Sequence, residues 1–203
     1  STFKKYANQI SKSHLTGAQA AERVLQANGV YGVRIERVSG NLTDHFDPKA
    51  NVIRLSDSVY SSTSTAAIGV ACHEAGHAAQ HAEKYLPIKV RNSILPVCNI
   101  GSTLSFPLLI AGVIFGFEPL VWIGIGFFSF TALFQFITLP VEFNASRRAM
   151  QAIESGNLLT DEEQRGAKKT LKAAAMTYVA ATAVALAQLV RLLLLFGGRR
   201  RRD

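Results

Sequence analysis

Three long stretches of this chain are almost entirely apolar, at residues 94–117, 120–139 and 173–196. Each is close to the roughly 20 residues that an α-helix needs to cross the hydrocarbon layer of a bilayer. Only the segment around residues 116–119 separates the first two, which predicts a transmembrane helical hairpin. The third stretch, although Gln188 and Arg191 interrupt it, predicts a C-terminal transmembrane helix.

The alternative for the first two stretches is a hairpin buried inside a soluble protein. A chain of 203 residues has too little other sequence to cover two such helices, so membrane insertion is favoured. Pro96 and Pro107 predict kinks, and Asn99 and Gln135 need partners within the protein. A transporter or channel component is disfavoured, because the apolar stretches lack charged residues at their centres.

The chain before the hairpin has the patterns of a small α+β unit. A capping box at residues 16–19 begins a helix, and Asn28 followed by Gly29 ends it. Residues 33–37 alternate as a strand, and residues 51–55 predict a second one. We therefore expect a helix followed by a β-hairpin. An extended peptide could add to the edge of such a strand, or the strand could only cover the core.

A long helix at residues 64–85 carries the chemistry-bearing motif His73-Glu74-Ala75-Gly76-His77. Two histidines four residues apart lie on one helical face, so both imidazoles can reach one metal ion. Glu74 projects about 100° away, where it can contact a water without ligating the metal. Gly69 and Gly76 weaken a helix, which suggests that they allow close packing. The alternatives are histidines that are merely hydrogen-bonded and a metal site without catalysis.

A catalytic zinc site takes three protein ligands and leaves a fourth position for water. Glu142 is the outstanding candidate for the third ligand, because it comes just after the second apolar stretch. His81 lies on the same helical face as His77, but three ligands from one straight helix would diverge. His81 is therefore interpreted as support for a ligand or as a helix cap.

The formal net charge of the chain is +8, from 22 Lys and Arg against 14 Asp and Glu. In a soluble protein such a charge would suggest nucleic acid, but beside long apolar stretches it indicates anchors to anionic lipid head groups. No nucleic-acid partner is expected. Two cysteines, Cys72 and Cys98, make no disulfide framework. Residues 1–12 are polar and charged, so no signal peptide is expected.

The chain resembles the YugP-like neutral zinc metallopeptidases of bacterial membranes and, more distantly, the HtpX-like membrane proteases. The resemblance runs through nearly the whole chain, in the segments TGAQAA, LTDHFDP, VIRLSDSVY, CHEAGHAAQHAEKY, LPVEFNASRRA and KKTLKAAAMTYVAA. It implies that His73, His77 and Glu142 hold one Zn²⁺ per chain and that Glu74 is the general base. It also implies a membrane helix before the displayed residues.

Four further residues are candidates for supporting the ligands or contacting substrate. HtpX-like relatives usually carry Asp four residues after the distal Glu, where this chain has Ser146, with Asn144 between. His45, flanked by acids, could stabilise an oxyanion or could be a turn histidine bonded to local backbone. Asn51 begins the second predicted strand.

The predicted organisation is a mostly α, integral membrane protein with a small α+β catalytic unit. Its segments are the HExxH unit at 1–92, the hairpin at 93–140, the third-ligand helix at 141–172, and the C-terminal membrane helix with its basic tail at 173–203. The predicted function is zinc-dependent cleavage of polypeptides, including membrane-associated ones, at the surface of a bacterial plasma membrane. The protein would be multi-pass with its catalytic side in the cytoplasm. The alternative is a zinc-stabilised scaffold or adaptor without proteolytic activity.

Overall fold

Most of the chain is helical, as the computed structural model shows for residues 2–197, the part that it describes. The basic tail at 199–202 lies outside these residues. The elements, in chain order, are α1 (Thr2–Ala7), α2 (Gly17–Ala27), β1 (Arg34–Val38), β2 (His45–Asp47), β3 (Val52–Ser56), α3 (Asp57–Tyr60), α4 (Thr65–Ala82), α5 (Leu86–Ile114), α6 (Glu118–Ser155) and α7 (Asp161–Gly197).

The elements form two compact units. The first contains the chain up to Tyr85 together with Pro140–Met176, and therefore holds α1 to α4, the sheet, and the adjoining parts of α6 and α7. The second contains Leu86–Leu139 and, within the described part of the chain, residues 177–197. Both α6 and α7 contribute residues to each unit.

The sheet of the first unit has the strand order β1-β3-β2. β3 pairs in parallel with β1, with Ile35 opposite Ile53, and antiparallel with β2, with Phe46 opposite Ile53. The predicted hairpin of residues 33–37 and 51–55 is therefore wrong. The turn that follows Asp47 reverses the chain between β2 and β3. The residues that pair with β3 across this turn are His45–Asp47, a strand that the sequence pattern did not predict.

This topology also changes where an extended peptide could pair. β3 is the central strand, and both of its edges are already hydrogen-bonded to neighbours. Within the described sheet, the free edges belong to β1 and β2. The predicted strand at 51–55 can therefore cover the core but cannot accept a peptide at its edge.

The core of the first unit is built from small and branched apolar side chains. Ile53 and Leu55 of β3, Ile68 of α4 and Ile153 of α6 are fully buried. Thr16 closes the predicted capping box at the start of α2, and Ser64 caps α4 by accepting from the Ala67 amide. Alanines line the buried side of α4, so this helix packs close to its neighbours.

The second unit consists of α5 and parts of α6 and α7. Leu109, Val121, Ile125, Phe128 and Leu192 form its buried apolar cluster. α5 runs without interruption through Pro96 and Pro107, and the predicted turn follows it, with Gly116 in the left-handed region. By length and composition, α5, α6 and α7 are three helices among the described residues that could cross a membrane.

Candidate metal centre

The two histidines of the HExxH motif lie side by side on α4. The centroids of the His73 and His77 rings are 4.7 Å apart, with the rings at 81° to each other. His77 is buried and His73 is half-buried. The predicted helix therefore exists, and its four-residue spacing presents both imidazoles to the same region.

Glu142 of α6 completes this cluster. Its Oε2 atom lies 3.2 Å from Nε2 of His73 and 3.6 Å from Nε2 of His77. A tetrahedral zinc ion with ligands at about 2.0–2.2 Å would separate its ligand atoms by about 3.3–3.6 Å. These two separations are close to that range, and all three possible ligand atoms lie within 4.8 Å of one another. Among the residues described, no other set of three His, Cys, Asp or Glu side chains gathers in this way.

A glycine allows α4 to approach α6 this closely. A Cβ atom placed on Gly76 would lie 2.7 Å from the carbonyl oxygen of Ala145. Any side chain at this position would overlap the backbone of α6. The close packing predicted for Gly76 is therefore confirmed, and it brings the histidine-bearing helix against the helix that carries Glu142.

Glu142 and His77 each shift the pKa of the other toward its charged form. Burial alone would raise the pKa of Glu142, which follows the apolar stretch at 120–139, but hydrogen bonds from His73 and His77 hold that pKa far below its usual range. Burial acts to lower the pKa of His77, but Glu142 and Glu74 outweigh it and raise that pKa. Glu142 is consequently an anion at neutral pH, which is the form that ligates a metal.

His77 is oriented by a buried amide that the sequence analysis missed. Gln80 is fully buried, and its Oε1 atom lies 3.0 Å from Nδ1 of His77. Its Nε2 donates to the carbonyl of Val141 at 2.8 Å, which fixes the amide orientation. Because Oε1 can only accept, Nδ1 of His77 carries a proton, so in the neutral ring, the form that ligates a metal, Nε2 holds the lone pair. A lone amide in an alanine-rich helix, three residues after His77, was the available signal.

Asn144 supports this amide and forms no hydrogen bond with a histidine among the described residues. Its Oδ1 atom accepts from Nε2 of Gln80 at 2.9 Å and from Nε of Arg148 at 2.8 Å. Arg148 in turn makes two 2.7 Å bonds to the carboxylate of Glu83, the residue that ends α4. This arrangement holds α4 against α6 beyond the cluster.

Ser146 lies beside Nδ1 of His73, as Gln80 lies beside Nδ1 of His77. Its Oγ atom lies 3.2 Å from Nδ1 of His73. If Ser146 accepts from that nitrogen, Nε2 of His73 is also left free to bind a metal. The chain thus orients both histidines with neutral groups, an amide and a hydroxyl.

Glu74 is buried beside the two histidines, with 8% of its surface exposed. Its carboxylate makes no hydrogen bond with the described residues. Cys72, by contrast, is fully buried in the core, where burial raises the pKa of its thiol to about 12. Cys72 is therefore a protonated core residue beside the cluster.

The remaining candidates lie elsewhere. The His81 ring is exposed in the last turn of α4 and lies 5.7 Å from the Phe46 ring. His45 is exposed on β2, and its Nδ1 atom lies 2.8 Å from the Thr43 carbonyl, the local backbone bond that was one of its two interpretations. Nδ2 of Asn51 donates to the Gly32 carbonyl at 3.0 Å. None of these three belongs to the group that gathers around Glu142.

Comparison with known proteins identifies the class of this chain. The model of a family described as "Putative neutral zinc metallopeptidase" matches residues 1–197, so the chain belongs to that family. A curated relative is the "Putative membrane protease YugP" of Bacillus subtilis (strain 168). The two sequences are 47% identical over 196 residues, which cover 97% of this chain and 87% of the relative. No solved structure matches the chain.

Proposed function

We propose that the chain is a zinc-dependent endopeptidase in which His73, His77 and Glu142 hold one Zn²⁺ and Glu74 is the general base. The observation that carries this proposal is the convergence of three possible ligand atoms within 4.8 Å of one another, two of them on the helix that also carries the buried Glu74 carboxylate, which has no hydrogen-bond partner among the described residues. Membership of a zinc metallopeptidase family supports the same activity.

The residues around the cluster have separable tasks in peptide hydrolysis. When bound, zinc lowers the pKa of a water molecule and polarises the scissile carbonyl. Glu74 accepts a proton from the attacking water and returns it to the leaving amine nitrogen. Gln80 and Ser146 hold the two imidazoles so that Nε2 of each faces Glu142. The anionic Glu142 offsets part of the positive charge of the metal.

The membrane setting favours substrates at the membrane surface. The proposed protein is multi-pass, with α5, α6 and α7 crossing the bilayer of a bacterial cell. Glu142 comes three residues after the apolar stretch at 120–139, within the same helix α6. Polypeptides that lie on or in the membrane are therefore the proposed substrate class. Basic residues such as Lys84, Arg147 and Lys168 flank the apolar stretches and favour a cytoplasmic catalytic side.

The test is metal content together with casein cleavage by the detergent-purified protein. Wild type should carry one zinc per chain and cleave casein. Glu74→Gln should keep its zinc and lose cleavage, and His73→Ala should lose both. Glu22→Gln makes the same chemical change on the exposed side of α2 and should behave as wild type.

Two results would contradict this assignment. Loss of zinc from Glu74→Gln would show that Glu74 holds the metal and is not the base. Zinc in wild type and in Glu74→Gln, with no cleavage of casein or of membrane-protein fragments by either, would favour the scaffold function, in which the metal only stabilises the fold.

A further inference from the structure

A groove of about 390 Å³ lies between α6 and α7 within the first unit. Its apolar lining includes Phe143 and Met150 from α6 and Leu171 and Ala175 from α7. Phe143 is 47% exposed, a large fraction for a phenylalanine, whereas Leu171 and Ala175 are buried at the bottom. The groove therefore offers an apolar floor that no other described part of the chain covers.

Three basic side chains line the same groove. Arg147 of α6 and Lys168 and Lys172 of α7 line it and are exposed, and none of the three forms a hydrogen bond or ion pair with another described residue. Glu154 is the carboxylate among the lining side chains. Three cations against one carboxylate leave the groove with a net charge of +2, so its occupant should be an anion with an apolar portion.

The residues that line the groove are close in sequence to two of the apolar stretches. Lys168 and Lys172 come immediately before the apolar stretch at 173–196, and Phe143 and Arg147 follow the one at 120–139. On the proposed membrane crossing of α6 and α7, these residues flank the ends of two spans. Anionic head groups attract basic residues at that level, and acyl chains are available there.

We propose that this groove binds an anionic phospholipid. Arg147, Lys168 and Lys172 would contact the phosphate, and an acyl chain would lie on Phe143, Met150 and Leu171. The proposal rests on the proposed membrane insertion but not on peptidase activity.

An acidic peptide substrate is the competing occupant, and the position of Ser146 disfavours it. Ser146 lines the groove and contacts Nδ1 of His73, whereas Nε2 of the same ring faces Glu142. The groove therefore adjoins the side of His73 that is turned away from the metal-binding atoms. A peptide bond positioned for hydrolysis would have to lie on the opposite side of the His73 ring, next to Nε2.

The experiment is photo-crosslinking with lipids that carry a diazirine in one acyl chain. The full-length protein in detergent micelles is exposed to photoactivatable phosphatidylglycerol or phosphatidylcholine, and the labelled peptides are located by mass spectrometry. Phosphatidylglycerol should label residues 143–154 and 168–175 in preference to phosphatidylcholine. Each of Arg147→Gln and Lys172→Gln should reduce this preference about fivefold, the effect of one cation near anionic lipid.

Lys169→Gln is the matched control, because Lys169 is exposed on the same turn of α7 but does not line the groove. It should label as wild type does. Equal loss from Lys169→Gln and Lys172→Gln would show general charge attraction and overturn the site. Equal labelling by both lipids, displacement by free glycerol phosphate at the same concentration as the lipid, or displacement by an acidic peptide would also overturn it. Because no readout is cleavage, failure here leaves the peptidase proposal untouched.

Discussion

Nδ1 of His77 lies 3.0 Å from the side-chain oxygen of Gln80, an amide that is fully buried one turn further along α4. The other end of the same amide bonds to α6, at the Val141 carbonyl and at Asn144. One side chain thus both orients a proposed metal ligand and joins the two helices that contribute all three ligands.

Replacing Gln80 by Leu should therefore weaken zinc binding. Loss of a partner that orients a ligand histidine typically costs about 10–100-fold in metal affinity. The Val141 carbonyl and the Asn144 amide would also lose a buried partner, at about 1–3 kcal/mol of stability. Zinc affinity is measured by competition with a chelator, and stability by thermal unfolding in detergent.

The variant Gln80→Glu separates the effect on zinc affinity from the effect on stability. A glutamate keeps an acceptor for Nδ1 of His77 but loses the donor to Val141. It should bind zinc at least as tightly as wild type, because a carboxylate acceptor strengthens an imidazole ligand, while losing stability. If Gln80→Leu binds zinc as tightly as wild type, the amide has no role in orienting His77.

Gly76 and Gly69 offer a matched pair on the same helix. A Cβ atom on Gly76 would lie 2.7 Å from the Ala145 carbonyl oxygen, but one on Gly69 would lie an ordinary 3.5 Å from the Ala167 Cβ. Gly76→Ala should destabilise the protein by about 1–3 kcal/mol, as overpacking does, and weaken zinc binding by moving α4 away from Glu142.

Gly69→Ala should be tolerated, and it could gain up to about 1 kcal/mol from the better helix propensity of alanine. Denaturant unfolding in detergent and chelator competition on both variants measure the difference. Equal stability of the two variants would show that α4 and α6 do not need the close contact at Gly76.

Much of the first unit and its site could be predicted because the signals are local. The four-residue spacing of His73 and His77 and the Thr16 capping box each depend on neighbours in the sequence. The parallel pairing of β1 with β3 was missed, because strand order depends on a connection that alternation does not encode. Gln80 was missed for a similar reason, since its partners Val141 and Asn144 are distant in sequence.

Zinc binding should weaken as the pH falls. The pKa of His77 is raised above its ordinary value of about 6.5, and a histidine must be neutral to ligate. Protons therefore begin to compete with zinc above pH 6.5, and affinity should fall by up to about tenfold per pH unit below that point. Glu142 adds nothing in this range, because its lowered pKa leaves it ionised.

The metal-free protein should show the opposite trend. A raised pKa of His77 contributes stability that is fully present below about pH 6.5 and is lost as the pH rises through the folded-state value. Chelator competition and thermal unfolding between pH 6 and 8 measure both trends. An affinity that stays constant over this range, after correction for protonation of the chelator, would contradict the proposed role of His77.

Ser146 provides a graded test of how firmly His73 is held. Its hydroxyl is a neutral partner, 3.2 Å from Nδ1. A carboxylate there would make the imidazole a stronger ligand, and alanine would leave Nδ1 without this partner. Zinc affinity should therefore follow the order Ser146→Asp, then wild type, then Ser146→Ala, with Ala at least a few-fold weaker than Ser. Zinc affinity is measured by chelator competition at pH 8. An affinity that does not change across the three would mean that Glu142 and the packing of α4 against α6 hold His73 without help from Ser146.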